Sequence, residues 1–134
     1  MPDMPSQGRE PSIRVTLLPR DTNEAGTIFG GVILSYIDLA AAVEVNKVNP
    51  VRRYVTVAMK EVVFHQPVFV GDLVSFYTSL VRVGRTSVTV KVNVVSRRRS
   101  NPKLDVRVTE AEVVYVAVDE SRQPIPVQDG GAGD

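Results

Sequence analysis
The stretch Gly31-Val32-Ile33-Leu34-Ser35-Tyr36-Ile37-Asp38-Leu39-Ala40-Ala41-Ala42-Val43-Glu44-Val45-Asn46-Lys47 decides the fold. Its apolar residues stand too densely for a surface helix with one wet face, so the pattern predicts a helix buried on most of its circumference. Asn46, Asn49 and Pro50 break the pattern and end it. A polar loop, Asp21-Thr22-Asn23-Glu24-Ala25-Gly26-Thr27-Ile28-Phe29-Gly30, leads into it. Ahead of the loop, Ile13, Val15 and Leu17 alternate with Arg14 and Thr16, a short strand stopped by Pro19.

Past Arg53 the chain turns β-rich. Runs at 54–65, 73–83, 86–97 and 106–118 carry the branched and aromatic residues that suit a pleated surface. Val88, Val90, Val92 and Val94 alternate with Thr89, Lys91 and Asn93, so one face of that strand meets the core. Gly84-Arg85 predicts a type II′ hairpin turn, and Pro67 and Gly71 break the 66–72 connection. The predicted order is a strand, a helix and four strands in a meander. One helix cannot cover both faces of a flat five-stranded sheet, but a curved antiparallel sheet can wrap around one long apolar helix, an α+β arrangement. The uncovered sheet face and edges predict a homodimer as the minimum unit.

With 43% hydrophobic residues in 134, the chain predicts one core and one domain at 13–127, between flexible segments at 1–12 and 128–134. It has no cysteine, which removes disulfides, thiolate metal sites and a cysteine nucleophile. Its one histidine, His65, is too few for a His-rich metal site, and any Ser-His-Asp system would have to pass through it. The first twelve residues hold three prolines and no apolar run, and no stretch nears the ~20 apolar residues of a membrane span. A cytoplasmic protein with no membrane partner is the expectation. Net charge is +1, which argues against nucleic-acid binding. Eight of the sixteen basic residues nevertheless fall between Arg82 and Arg107, with Asp105 the only acid among them, a bias that suits an anionic ligand.

Asp38 is the candidate catalytic group, since a carboxylate withdrawn from water is a stronger base than an exposed one. The plain alternative puts it on a narrow solvated stripe with Ser35 and Asn46. Asn23 is either a hydrogen-bonding site residue or the pivot of an Asx-turn. Gly30 and Gly31 either relax the backbone or open the helix so that bare N–H groups face a developing oxyanion. Thr56 is a candidate pocket residue. Ser35 lacks a nucleophile-elbow context and reads as a helix residue. Arg97, Arg98, Arg99 and Lys103, with Arg107, form either a solvated strand end or a phosphate site.

Taken together, these residues resemble the hotdog-fold acyl-CoA thioesterases, in the YciA-like and cytosolic acyl-CoA hydrolase branch. The resemblance rests on Asp21-Thr22-Asn23, Gly26, Ile28-Phe29-Gly30-Gly31 and Asp38. It continues through Val55-Thr56-Val57, Phe64 to Pro67-Val68, Gly71-Asp72, Val83-Gly84-Arg85-Thr86-Ser87 and Val116-Ala117-Val118-Asp119. It implies the hotdog fold and an interface site where Asn23 of one subunit faces Asp38 of another, in a dimer that assembles further as a trimer of dimers. Leu39-Ala40-Ala41 stands where relatives often have glycines, and Val32 where they often have an aromatic.

The expected activity is hydrolysis of an acyl-CoA thioester to free acid and coenzyme A, in fatty-acid metabolism, with no metal or redox cofactor. Asp38 acts as general base on water or attacks directly to form an anhydride. Asn23 orients water or thioester, and Gly30 and Gly31 amides receive the oxyanion. Gly84, Arg85, Thr86, Arg97, Arg98, Arg99 and Lys103 are the expected coenzyme A contacts. The rivals are a non-catalytic acyl-CoA binding protein on the same fold and a hydratase or dehydratase working through His65.

Overall fold
The computed structural model describes residues 8–128; the expected flexible ends at 1–7 and 129–134 lie outside the described residues. Five strands, β1 (Ile13–Thr16), β2 (Arg53–Phe64), β3 (Leu73–Val83), β4 (Ser87–Arg97) and β5 (Asp105–Val118), form one antiparallel sheet around helix α1 (Gly30–Asn46). This is the hotdog fold that the residues predict. Each element falls within a residue or two of its expected bounds, because each is encoded by local periodicity. Ahead of β1, Arg9 and Ser12 already hydrogen-bond to β3, at Thr78 and Phe76.

The strand order is β1-β3-β4-β5-β2, which corrects the expected meander. Only β3, β4 and β5 are sequential neighbours. β2 lies at the far edge against β5, so α1 and the 65–72 connection cross the sheet in opposite directions. The hairpin between β3 and β4 also differs from expectation. Gly84 does not take the positive φ that a type II′ turn needs, and its N–H donates to the Ser87 carbonyl at 2.7 Å.

Val74 and Phe76 of β3, Val88 to Val94 on alternate positions of β4, and Ala111 and Val113 of β5 pack on Ile33, Ile37, Ala40, Ala41 and Val45 of α1. Each valine, isoleucine and phenylalanine among them contributes roughly 1.5–3 kcal/mol relative to exposure. The helix is not buried all round. Leu39 is 56% exposed and Val43 is 41% exposed, and the free edge of β2 shows Val57 and, at the Gly30 end, Phe64. Large apolar side chains open on both a helix and a sheet edge mark an association surface.

Gly71 turns the chain into β3 at φ 89°, and a Cβ there would lie 2.6 Å from Cδ of Arg99. Gly71→Ala is therefore expected to lower stability by about 1 kcal/mol or more, read as a lower urea midpoint with unchanged slope.

Candidate active site
Asp38 sits in the middle of α1, half-buried, on the side facing β5 and β2. Its Oδ1 accepts two hydrogen bonds, from the Tyr115 hydroxyl at 2.7 Å and the Thr56 hydroxyl at 2.8 Å. Oδ2 has no partner among the described residues. The Tyr115 hydroxyl also lies 2.6 Å from the Asp38 carbonyl. Thr56 and Tyr115 are cross-strand partners in the β2–β5 register, so one rung of the sheet carries both donors. Burial, then the hydrogen bond and charge of Asp38, hold the Tyr115 phenol far above its ordinary pKa, while Thr56 lowers it somewhat. The group stays protonated and can only donate to Asp38.

Tyr115 was missing from the expected site. The available signal was a tyrosine between Val113 and Ala117 on the core-facing positions of β5, where a buried phenol needs a partner for its hydroxyl. Thr56, expected as a pocket residue, instead holds Asp38. The solvated stripe is there in part, with Ser35 and Asn46 exposed and Asp38 half-buried, but the Asp38 carboxylate on it is engaged by Tyr115 and Thr56.

Asn23 does what an Asx-turn requires. Its Oδ1 accepts from the Ala25 and Thr27 N–H groups at 2.9 and 3.1 Å, and its Nδ2 donates to Thr27 Oγ1 at 2.9 Å. The two backbone donors identify the side-chain oxygen, so the amide retains one uncommitted N–H. The loop itself is tied to the 65–72 connection by Ile28 N–H to the Val68 carbonyl at 2.9 Å. All the side-chain partners of Asn23 lie in its own loop, and it does not touch Asp38 of the same chain.

Helix α1 starts without a side-chain cap at Phe29. Val32 and Ile33 donate back to the Phe29 carbonyl, but the Gly30 and Gly31 N–H groups have no partner among the described residues. A Cβ on Gly31 would meet nothing within 4 Å, so the space beside its Cα is open. Beside Gly30 lies a cleft of about 400 Å³ walled by Ile28, Ile33, Val68 and Val108, with Phe64 and His65 at its rim. His65 Nε2 lies 3.5 Å from a Glu110 oxygen.

Eight helical residues separate Gly30 from Asp38, about 12 Å along the axis. The free amides and the carboxylate of one chain therefore cannot serve one reacting carbon.

The basic region divides. Arg98, 8% exposed, donates to Asp72 Oδ2 and to the Pro67 carbonyl, both at 2.8 Å, and lies over the Phe69 ring at 4.7 Å. It holds the fold and is corrected from a coenzyme A contact to a structural residue. Arg97 pairs with Asp105 at 2.9 Å through Nε, an exposed pair that offsets part of its charge and leaves Nη1 without a partner among the described residues. The side chains of Arg85, Arg99 and Lys103 have no polar partner among the described residues. Arg85 borders a hollow of about 570 Å³ with Val83, Gly84, Pro126 and Gln128, while the Thr86 carbonyl accepts from Ala117. Ten strand residues, about 34 Å, separate that hairpin from the Arg97 end of β4. Asp38 belongs to the hairpin end, because Tyr115 pairs with Val88; Gly30 belongs to the other, because Phe64 pairs with Thr109. No helix among the described residues is long and apolar enough to cross a membrane.

A single long helix packed inside a five-stranded antiparallel sheet is the hotdog arrangement. The chain belongs to the thioesterase superfamily, whose family model matches residues 25–102. It is 40% identical over 119 residues to an acyl-CoA thioester hydrolase of Zymomonas mobilis, covering 88% of this chain and 78% of that one. It is 36% identical over 120 residues to the acyl-CoA thioester hydrolase YciA of Escherichia coli, covering 87% and 90%. A hexameric hotdog fold thioesterase of Campylobacter jejuni superposes with a TM-score of 0.83 at 42% identity, covering 91% and 92%.

Proposed function
We infer that the protein is an acyl-CoA thioester hydrolase, releasing free carboxylic acid and coenzyme A. The observation that carries this reading is the Asp38 carboxylate, held by two donors on Oδ1 with Oδ2 open. Oδ2 takes the proton of a water that attacks the acyl carbon, or itself attacks that carbon. In either route the C–S bond breaks and the thiolate of coenzyme A leaves and is protonated. The released thiol is therefore the direct readout of turnover.

The 12 Å offset within one chain supports a site built from two copies, with Asp38 of one facing Asn23, Gly30 and Gly31 of the other. The free amide N–H of Asn23 then donates to water or the thioester carbonyl, and the two glycine amides receive the oxyanion. The acyl chain enters the apolar cleft beside Gly30. The open apolar side chains of Leu39, Val43, Val57 and Phe64 support the dimer contact, and the similarity to a hexameric thioesterase supports a trimer of dimers. A native mass six times that of the chain, by light scattering, checks the assembly.

Coenzyme A phosphates fall to Arg85 beside the Asp38 half of such a site, and to Arg99 and Lys103 beside the Gly30 half. Arg85→Glu is expected to raise KM for acyl-CoA roughly tenfold at low salt with little change in kcat. An unchanged KM removes Arg85 from the site.

The purified protein should release thiol from acyl-CoA. Binding without release would favour a carrier. The hydratase reading predicts loss of activity in His65→Ala, whereas hydrolysis through Asp38 survives it.

A further inference from the structure
We propose that Tyr115 and Thr56 are positioning residues that clamp Oδ1 of Asp38, making Oδ2 the one oxygen that meets the substrate. The proposal rests on the hydrolase reading above and adds to it which carboxylate oxygen reacts and what holds it there.

A carboxylate on a helix is free to rotate about two side-chain bonds, and each rotation exchanges or displaces its oxygens. Here two donors converge on the same oxygen, at 2.7 and 2.8 Å. They come from opposite members of one cross-strand pair, on rigid strands rather than loops. The Tyr115 hydroxyl also bridges to the carbonyl of Asp38 itself at 2.6 Å, so its position is tied to the helix backbone as well as to the side chain. Tyr115 is 4% exposed, and its ring cannot swing away without opening the core. The β2 register slips directly after Thr56, where Val57 is the extra residue, a device that aims a neighbouring side chain.

The test compares Tyr115→Phe, Thr56→Val, Thr56→Ser and Asp38→Asn by thiol release, with thermal unfolding of each variant alongside. Tyr115→Phe and Thr56→Val are each expected to lower kcat roughly 10- to 100-fold, with KM within about twofold. Thr56→Ser, which keeps the hydroxyl, should restore kcat to near the wild-type value. Wild-type kcat in Tyr115→Phe and Thr56→Val, with Asp38→Asn inactive, overturns the clamp and leaves the hydrolase reading standing. Full turnover in Asp38→Asn overturns the reading of the reaction itself.

Discussion

Asp38→Asn is expected to reduce thiol release from acyl-CoA by about 10²- to 10⁴-fold in kcat, with the protein still folded. The substitution keeps shape and keeps an oxygen that accepts from Tyr115 and Thr56, so the clamp and the core around it survive. What it removes is Oδ2, replaced by an amide nitrogen with no lone pair to take a proton or attack a carbon. Binding should persist, because the Gly30 cleft and the basic residues are untouched, so KM changes little while kcat collapses. Thermal unfolding of the variant, compared with wild type, separates lost chemistry from lost structure. Substrate hydrolysed in heavy-oxygen water adds a further distinction: label entering the Asp38 carboxyl during turnover of the wild type shows the anhydride route.

Asp72→Ala should destabilise the fold by about 3–5 kcal/mol. Asp72 lies in the 66–72 turn, 2% exposed, and its two oxygens accept from Arg98, Ser96 and the Phe69 and Arg99 N–H groups at 2.8–3.0 Å. Removing it strands the Arg98 guanidinium in a buried setting and leaves two backbone N–H groups without an acceptor. Urea unfolding at neutral pH gives the difference directly. Burial acts to raise the Asp72 pKa, but its four hydrogen bonds outweigh burial and hold it below the ordinary value. A carboxyl whose folded pKa is depressed adds stability above its unfolded value and loses it as pH falls through the folded one. The gap between wild type and Asp72→Ala is therefore expected to narrow on acidification from about pH 4 downward. A constant gap there would place the stabilisation elsewhere.

The particular residues show where sequence reading reaches and where it stops. Helix α1 and the five strands were legible because each is written in its own neighbours, the dense apolar run at 31–47 and the Val88 to Val94 alternation being the clearest. Asp38 was legible as an oddity, a carboxylate in an apolar helix. The oxygen it leaves open was not, since its clamp joins residues 77 positions apart. The basic bias between Arg82 and Arg107 was visible, but its neutralisation was not: Arg98 finds Asp72 26 residues away. Asn23 carried both of its readings in the sequence, and the folded loop uses the Asx-turn while sparing one amide N–H.

By itself the sequence determined the elements, their bounds and the α+β class, because these depend on composition and short-range periodicity, while the choice of Asp38 came with the resemblance to thioesterases. Tertiary structure alone decided that β2 crosses to β5 rather than joining β3, and with that crossing came the Thr56–Tyr115 rung beneath Asp38. It also put the free amides and the carboxylate about 12 Å apart along one helix, and the two halves of the basic region at opposite ends of a strand. These are matters of register and chain crossing, set by which distant surfaces bury each other best. No local pattern encodes them, and they are what supports the proposal that a second copy of the chain completes the site.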